Sequence, residues 1–286
     1  MKESAKTIVS LIVLIRLNGA AKGSKTMKKV ELQAHRGVES EYPQNTMASF
    51  RAAAEQGYER IELDPRVTKD GQFVVLHDRR INSTARNPDG SRIGKELLIS
   101  ELTYAEALEY DFGMWFSPEF CGEKLPLFRD VLDFAAEKDI SLKIDNKMFE
   151  MKPEERYAFY GLIHASGAHV VISCITEAHA DEVNVRLPEA EVSFDGLYDA
   201  DTLKRLNAVF GRERLTVWIP IDRRMAEWAP IDWFASPEKA AAILPYAKLG
   251  IWAIADVESF HRACRLYHPD AAETSGNVKP SDAEKS

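Results

Sequence analysis

Short apolar runs alternate with amphipathic stretches along the chain from residue 30 onward. The runs are rich in Val and Ile and nearly continuous, which is typical of parallel strands buried on both faces. They predict strands over 30–35, 60–67, 140–146, 169–174, 191–195, 215–221, 249–254 and 270–274. The stretches between them predict helices over 46–56, 127–138, 153–165, 177–186, 199–209, 237–246 and 257–267. Eight strands that alternate with helices indicate an α/β fold, the (β/α)8 or TIM barrel.

An open, doubly wound sheet is the alternative for this order of elements. It is less favoured because no Gly-x-Gly-x-x-Gly turn follows the first strand. The segment 78–126, between the second and third strands, is long for a crossover and carries the turn signal Asn87-Pro88-Asp89-Gly90. We expect it to be a small insertion at the rim of a single barrel domain over 30–276, which a polar tail at 277–286 follows.

The first 29 residues allow two interpretations. An apolar run at 8–15 follows Lys2 and Lys6, which resembles a weak secretory signal and is too short to span a bilayer. Alternatively, Met27 is the native start and 1–29 is a leader or a disordered segment. We expect a cytoplasmic protein without stable membrane insertion, with export as the alternative if residues 1–21 act as a signal peptide.

Composition narrows the functional classes. Hydrophobic residues make up 45% of the chain and charged residues 29%, so a sizeable core is available. The net charge of −8 argues against a nucleic-acid partner, whose phosphates require a basic surface. A small phosphate substrate needs only a local positive pocket, which a bound divalent cation can supply. The three cysteines form no Cys-x-x-Cys pair, which argues against a disulfide framework or a structural zinc site.

Two carboxylates lie two residues apart in the second predicted strand, at Glu62 and Asp64. Side chains at i and i+2 of a strand share one face. Two buried carboxylates repel each other unless a proton or a cation neutralises them, and Mg²⁺ and Ca²⁺ prefer carboxylate oxygens. The alternative is an edge strand whose acids pair with Arg60 and Arg66.

Asp145 and Lys147 repeat this spacing near the end of the third predicted strand. An acid and a base on one face fit a metal ligand beside an ammonium that contacts phosphate. A surface ion pair is the alternative.

Two histidines follow apolar runs in the same part of the chain, at His35 and His77. Cleavage of a phosphodiester requires one group to take a proton from the attacking hydroxyl and another to protonate the leaving alkoxide. Imidazole suits both tasks near neutral pH. A lone histidine is more often structural, but two at predicted strand ends indicate acid–base catalysis.

The order and spacing of several motifs resemble the glycerophosphodiester phosphodiesterase family. The resemblance is dense over 31–147 and thinner afterwards. Its motifs are His35-Arg36-Gly37, Pro43-Gln44-Asn45-Thr46, Glu62-x-Asp64, Thr68-Lys69-Asp70-Gly71, His77-Asp78, Asp111-Phe112-Gly113, Leu125-Pro126-Leu127, Ile144-Asp145-Asn146-Lys147 and Trp252-Ala253-Ile254-Ala255-Asp256.

This resemblance implies a barrel with an insertion after the second strand, one divalent ion (Mg²⁺ or Ca²⁺), and hydrolysis of a small glycerophosphodiester to glycerol phosphate and an alcohol. It also implies that the glycerol 2-hydroxyl attacks phosphorus. The implied roles are metal ligation by Glu62, Asp64 and Asp145, acid–base catalysis by His35 and His77, phosphate binding by Arg36 and Lys147, and substrate binding by Trp252. The alcohol released, the choice of ion and the oligomeric state stay open.

Four departures from the family pattern bear on substrate choice more than on the reaction class. Asp145 stands where the family usually has glutamate, and Gln44 replaces the glutamate of its Pro-Glu-Asn-Thr motif. Cys174-Ile175 stands for a Ser-Phe pair, and Glu273-Thr274-Ser275-Gly276 for a terminal Thr-Asp.

Two other functions compete with this interpretation. One is a related phospholipase D-type barrel acting on a lysophospholipid or a sphingolipid, which exposed aromatic residues would favour. The aromatic candidates are Trp115, Phe116, Trp228, Trp233 and Phe234. The other is a catalytically silent barrel that only binds glycerophosphodiesters, although such a protein has no need of two proton-transfer groups.

Overall fold

Ten strands form a closed barrel and a separate hairpin in the computed structural model, which describes residues 29–284. The strands are β1 (Glu31–Ala34), β2 (Arg60–Leu63), β3 (Pro65–Val67), β4 (Phe73–Val75), β5 (Ser141–Ile144), β6 (Val170–Cys174), β7 (Glu191–Phe194), β8 (Leu215–Pro220), β9 (Lys248–Trp252) and β10 (Ala271–Thr274). Eight of them pair in parallel in the ring order β1-β2-β5-β6-β7-β8-β9-β10. The predicted (β/α)8 barrel is confirmed, and the expectations about a leader lie outside the described residues.

Helices follow the barrel strands and cover the outside of the ring, except for α2, which belongs to the segment 78–126. They are α1 (Met47–Glu55), α2 (Tyr104–Ala107), α3 (Phe128–Lys138), α4 (Pro153–Ser166), α5 (Glu177–Arg186), α6 (Ala200–Phe210), α7 (Pro237–Ile243), α8 (Val257–Tyr267) and α9 (Pro280–Ala283). Short polar side chains cap several of them, as Thr46 does for α1 and Asp256 for α8. All seven predicted helices are present, and α7 ends three residues before its predicted limit of 246.

The prediction of one strand over 60–67 is wrong beyond Leu63. Pro65 has no amide hydrogen and cannot continue the ladder, so the chain leaves the barrel at Asp64. Residues Pro65–Val67 instead pair antiparallel with Phe73–Val75 to form the hairpin β3–β4. The hairpin turn is closed by Gly71, whose left-handed φ of 79° favours glycine.

The segment 78–126 packs around a satellite core beside the hairpin. Its apolar side chains, among them Ile81, Leu97 and Phe112, join Val74 and Leu76 in a cluster separate from the barrel core. At the other end of the chain, Val278 is buried in the barrel core. Within residues 29–284, no helix combines the length and apolar character needed to cross a membrane.

Charged side chains occupy the interior of the barrel. Arg60 lies 2.9 Å from Glu31 and 3.6 Å from Glu191 near the amino ends of the strands. Further toward the carboxyl ends, Lys143 pairs with Glu273 at 3.4 Å. Because a buried charge is costly without a partner, these pairs make a polar barrel interior possible.

Candidate active site

A cavity of about 490 Å³ opens at the carboxyl ends of the barrel strands. We call it the mouth pocket. One side of it is polar, with His35, Glu62 and Asp145 among its lining residues, and the other side carries tryptophans. Ligands of (β/α)8 barrels bind at this end because the loops that follow the strands converge there.

The structure brings the three predicted metal ligands together. Glu62, Asp64 and Asp145 each offer a carboxylate oxygen, and these oxygens all lie within 4.8 Å of one another. Glu62 and Asp64 are buried, and Asp145 is half-buried. Such an oxygen-only set suits a hard divalent cation. We refer to these residues as the acidic triad.

Glu62 provides the clearest test of whether the triad fits a cation. Its Oε2 accepts one hydrogen bond, from the backbone amide of Arg36 at 3.0 Å. Burial, and then the neighbouring charge of Asp64, raise the pKa of Glu62 to about 8. Ionised Glu62 therefore lacks sufficient positive charge around it, and a divalent ion between the carboxylates would supply what is missing.

Asp64 has the opposite electrostatic environment. Burial alone would raise its pKa, but the charges of Lys147 and then Arg36 lower the pKa to about 2. Its Oδ1 lies 2.8 Å from Lys147 Nζ, and its Oδ2 accepts a hydrogen bond from Asn45 Nδ2 at 2.7 Å. Asp64 is thus held ionised and fixed in orientation.

Lys147 lies between two members of the triad. Its Nζ is 2.8 Å from Asp64 Oδ1 and 2.8 Å from Asp145 Oδ1. Burial works to lower the pKa of Lys147, but the two carboxylates raise it overall. The predicted contact with a substrate phosphate stays a prediction, since the ammonium here contacts carboxylates.

Arg36 adopts a strained backbone directly after the first histidine, with φ 51°. Its Nη1 donates to Gln44 Oε1 at 2.6 Å, and its Nε lies 3.4 Å from Asp64 Oδ2. The next residue, Gly37, also has positive φ, and a Cβ there would overlap Ser49 of α1. The loop after β1 is therefore packed closely enough to fix the Arg36 amide on Glu62.

His35 is held by a carboxylate on one side of its ring and faces the triad with the other. Its Nδ1 lies 2.5 Å from Glu39 Oε1, and its Nε2 lies 3.9 Å from Glu62 Oε2. Glu39 is in turn fixed by a hydrogen bond from Ser275 Oγ at 2.8 Å. Burial opposes protonation, but the hydrogen bond with Glu39 and then the charge of Glu62 raise the pKa of His35 to about 9.

His77 repeats this arrangement on the loop that follows β4. Its Nδ1 lies 2.7 Å from Asp78 Oδ1, and Asp78 Oδ2 accepts from Ser83 Oγ at 2.6 Å. The carbonyl of His77 accepts from Arg66 Nη2 at 2.7 Å, which anchors the loop to the hairpin. A carboxylate at Nδ1 favours the tautomer with Nδ1 protonated, which leaves Nε2 of each ring as the atom that can accept a proton. His35 lines the mouth pocket, whereas His77 is not among its lining residues.

The polar side of the mouth pocket includes a charge network that was not predicted. Lys143 Nζ lies 3.4 Å from Glu273 Oε2, 3.7 Å from Asp195 Oδ2 and 4.5 Å from the centre of the Trp218 ring. Ser173 Oγ donates to Asp195 at 2.9 Å. Burial disfavours the charge on Lys143, but Asp195 and then Glu273 raise its pKa overall.

One sequence signal could have indicated part of this network. Lys143 precedes Asp145 by two residues, so it lies on the same face of β5. Glu39, which also went unnoticed, follows His35 by four residues and carries no comparable signal.

Four tryptophans line the mouth pocket: Trp218, which contacts Lys143 on the polar side, and Trp228, Trp233 and Trp252. The rings of Trp228 and Trp252 stack with centroids 5.9 Å apart, and Trp233 meets Trp228 edge-on at 6.2 Å. The predicted Trp252 therefore lines the pocket, and its contact with substrate stays a prediction.

The aromatic pair of the insertion does not line this pocket. Trp115 Nε1 donates to the carbonyl of Phe112 at 3.0 Å, and the Trp115 ring packs edge-on against Phe116. Phe116 in turn packs against Phe120. These rings stabilise the insertion, so their suggested role with an acyl-bearing substrate is not supported by their position.

The fold and the triad together define a (β/α)8 barrel with an acidic centre at the carboxyl ends of its strands. A family model described as the glycerophosphoryl diester phosphodiesterase family matches residues 35–234. The chain belongs to this family.

Three proteins illustrate the similarity. A glycerophosphodiester phosphodiesterase from Caldanaerobacter subterraneus subsp. tengcongensis is 36% identical over 114 residues, which are 40% of this chain and 44% of the relative. A lysophospholipase D from Rattus norvegicus is 28% identical over 157 residues, 50% of this chain and 48% of the relative. Both alignments thus span less than half of the curated relative.

The third is a solved structure, a phosphodiesterase from Oleispira antarctica in complex with the product sn-glycerol-3-phosphate. It superposes with a TM-score of 0.71 at 19% identity and covers 90% of this chain and 97% of that one. At this identity the match shows the shared fold.

Proposed function

We propose that the protein hydrolyses glycerophosphodiesters to glycerol phosphate and an alcohol with the help of one divalent ion. The observation that carries this proposal is the acidic triad, whose oxygens converge within 4.8 Å beside the Nε2 of His35. Family membership supports it, as do the activity that names the Caldanaerobacter relative and the product bound by the Oleispira protein.

Glu62, Asp64 and Asp145 would hold the ion, and either Mg²⁺ or Ca²⁺ suits a set of carboxylate oxygens. When bound, the ion supplies positive charge that lowers the pKa of a nearby hydroxyl and offsets negative charge on phosphate oxygens. Its positive charge would also offset the burial and the charge of Asp64, which together raise the pKa of Glu62.

The two histidines transfer protons. The glycerol 2-hydroxyl forms a bond to phosphorus while one imidazole takes its proton, and the bond from phosphorus to the alcohol oxygen breaks. The other imidazole gives a proton to that oxygen, which leaves as the alcohol. Water then opens the cyclic phosphate with the two roles exchanged. Glu39 and Asp78 orient the rings of His35 and His77 through their Nδ1 atoms.

Arg36 and Lys147 bind the phosphate in this proposal. Both contact Asp64, at 3.4 Å and 2.8 Å, so a phosphate beside the triad is within reach of both cations. Their positive charge favours a substrate anion at a site whose own carboxylates would otherwise repel it.

The test is turnover of glycerophosphocholine by the purified full chain, with and without EDTA, followed by readdition of Mg²⁺ or Ca²⁺. We expect hydrolysis that EDTA abolishes and that an added ion restores. Binding of glycerophosphocholine without any turnover in the presence of both ions would instead identify a silent binding barrel.

A further inference from the structure

The segment at the end of β10 lies between two loops of the mouth pocket. We call residues 274–278 the C-terminal strap. Because β10 is the neighbour of both β1 and β9 in the ring, the strap lies between the loops that follow these two strands. The loop after β1 carries His35, and the loop after β9 follows Trp252, both of which line the mouth pocket. Contacts of the strap with these loops therefore connect separate parts of the candidate site.

Three hydrogen bonds join the strap to the loop that carries His35. The amide of His35 donates to the carbonyl of Thr274 at 2.9 Å, and the amide of Ser40 donates to the carbonyl of Ser275 at 2.8 Å. Ser275 Oγ donates to Glu39 Oε1 at 2.8 Å, and the same oxygen lies 2.5 Å from His35 Nδ1. A single carboxylate oxygen thus separates the hydroxyl of Ser275 from the imidazole.

Asn277 joins the strap to the loop after β9. Its Nδ2 donates to the carbonyl of Ile254 at 2.7 Å and to that of Ala255 at 3.0 Å. Its Oδ1 accepts from the backbone amide of Ser275 at 3.2 Å. One side-chain amide therefore fixes both the neighbouring loop and the backbone of Ser275.

The end of the strap is anchored in the barrel core. Val278 is fully buried, and its carbonyl accepts from Tyr58 Oη at 2.8 Å and from Thr274 Oγ1 at 3.0 Å. Gly276 packs closely on the loop after β1, since a Cβ there would lie 2.6 Å from Ser40 Oγ. These contacts leave the strap little freedom, so the hydroxyl of Ser275 is held beside Glu39.

The hydrogen bond from Ser275 decides between two orientations of the Glu39 carboxylate. Glu39 Oε2 lies 4.0 Å from Arg36 Nη1, and a glutamate side chain keeps several rotamers unless contacts restrict it. The hydroxyl holds Oε1 at the imidazole, whereas without it the carboxylate would be free to turn toward the guanidinium. Serine suits this position because its hydroxyl donates to Glu39, while the aspartate that is usual in the family would repel it.

We propose that Ser275 is a positioning residue for the reaction, because it holds the carboxylate of Glu39 that orients the imidazole of His35. Asn277 supports this role by fixing the backbone of Ser275. The inference rests on the proposed function, since the orientation of His35 affects turnover only if His35 transfers a proton. Ser275 acts through Glu39 and is not itself a catalytic residue.

Steady-state kinetics on glycerophosphocholine with saturating ion test this role. We expect Ser275→Ala to lower kcat by about tenfold, since a displaced proton-transfer group slows the reaction. KM should stay unchanged, because Ser275 does not line the mouth pocket. Ser275→Thr keeps the hydroxyl and should retain most of the wild-type kcat. The matched control is Ser259→Ala, which removes a hydroxyl that donates to Asp256 at 2.7 Å in the cap of α8, and it should behave as wild type.

A double-mutant cycle shows whether the effect passes through Glu39. In a Glu39→Ala background, Ser275→Ala should lower kcat no further, because no carboxylate is left to hold. Losses that multiply independently would overturn the inference, as would a wild-type kcat for Ser275→Ala or an equal loss of kcat in Ser275→Thr.

Proton NMR of the substrate-free protein separates this inference from the proposed function. The Nδ1 proton between His35 and Glu39 should give a downfield signal in the wild type and in Ser275→Thr, which His35→Ala lacks. We expect Ser275→Ala to shift or weaken this signal. If the wild type turns over no glycerophosphodiester, the proposed function is refuted, and the signal still tests the positioning. An identical signal in the wild type and Ser275→Ala would overturn the positioning.

Discussion

Lys147 Nζ lies 2.8 Å from Oδ1 of Asp145, and the backbone amide of Lys147 donates to the same oxygen at 3.0 Å. Asp145 thereby caps the 3₁₀ turn Asn146–Glu150 that follows β5. Aspartate caps turns well because its short side chain reaches an amide two residues ahead. The residue that departs from the family pattern therefore serves both the turn and the acidic triad.

This double role predicts the outcome of substitutions at position 145. Asp145→Glu gives up the cap and moves the carboxylate by one methylene, so we expect it to bind Mg²⁺ or Ca²⁺ less tightly than wild type. Asp145→Asn removes a charge and should be the weakest of the three, by about tenfold or more. Titration calorimetry on the three proteins checks the order, with Asp201→Asn on the exposed face of α6 as control. Equal metal affinities of the wild type and Asp145→Asn would mean that residue 145 is not a metal ligand.

The two histidines should be indispensable for turnover but not for folding. His35→Ala and His77→Ala each remove a positioned proton-transfer group, so kcat should fall by about 10²–10⁴ in each variant. His164→Ala, on the exposed face of α4, is the matched control and should keep wild-type kcat. Steady-state kinetics measure kcat, and circular dichroism shows whether each variant is folded. A variant of His35 or His77 with near wild-type kcat at neutral pH would be evidence that this histidine is structural.

The ion should stabilise the protein more at high pH than at low pH. Burial raises the pKa of Glu62 to about 8, and Glu39 with Glu62 raise that of His35 to about 9. Both groups bind protons more tightly in the folded state, so the metal-free protein loses stability as pH rises from about 6 to about 9. A divalent ion binds the ionised form of Glu62 and offsets this loss.

The urea concentration at the unfolding midpoint, measured at about pH 6 and about pH 9 in EDTA and in saturating Mg²⁺, gives the change in stability with pH for both forms. Glu62→Gln is the control variant: it removes one of the two titrating groups and one of the charges that raise the pKa of His35, so stability in EDTA should fall less with rising pH than in the wild type. If the urea midpoint of the wild type in EDTA does not change with pH, the arrangement of charges described for the site is contradicted.

Lys143 should be important for stability because its loss leaves two half-buried carboxylates, Asp195 and Glu273, without this buried cation. Its ammonium is the partner of Glu273 at 3.4 Å and of Asp195 at 3.7 Å. Lys143→Met should lower the free energy of unfolding by about 3–5 kcal/mol, and adding Glu273→Gln should restore part of it. Denaturant unfolding measures both, with Lys204→Met on the surface expected to change stability by less than about 1 kcal/mol. If Lys143→Met leaves the free energy of unfolding unchanged, the network does not stabilise the barrel interior.

The parts of the fold that local pattern determines were predictable from the sequence. Strands buried on both faces are continuous apolar runs, and the two-residue spacing of Glu62 and Asp64 is enough to place both on one face of a strand. The hairpin was missed because the two-residue spacing of the apolar side chains Ile61, Leu63 and Val67 continues past Pro65, where the barrel strand has already ended.

The Lys143 network was missed for a different reason. Its acids, Asp195 and Glu273, follow or belong to strands far along the chain, and only closure of the barrel brings them to Lys143. Contacts across 130 residues leave no periodic signal in the sequence.

The most direct test of the proposed chemistry is ³¹P NMR of glycerophosphocholine incubated with the purified full chain. The spectrum distinguishes which bond to phosphorus breaks. We predict glycerol phosphate and free choline when Mg²⁺ or Ca²⁺ is present, and unchanged substrate after exhaustive chelation. Phosphocholine as the product, or glycerol phosphate formed at full rate in EDTA, would contradict the assignment of the triad and the two histidines.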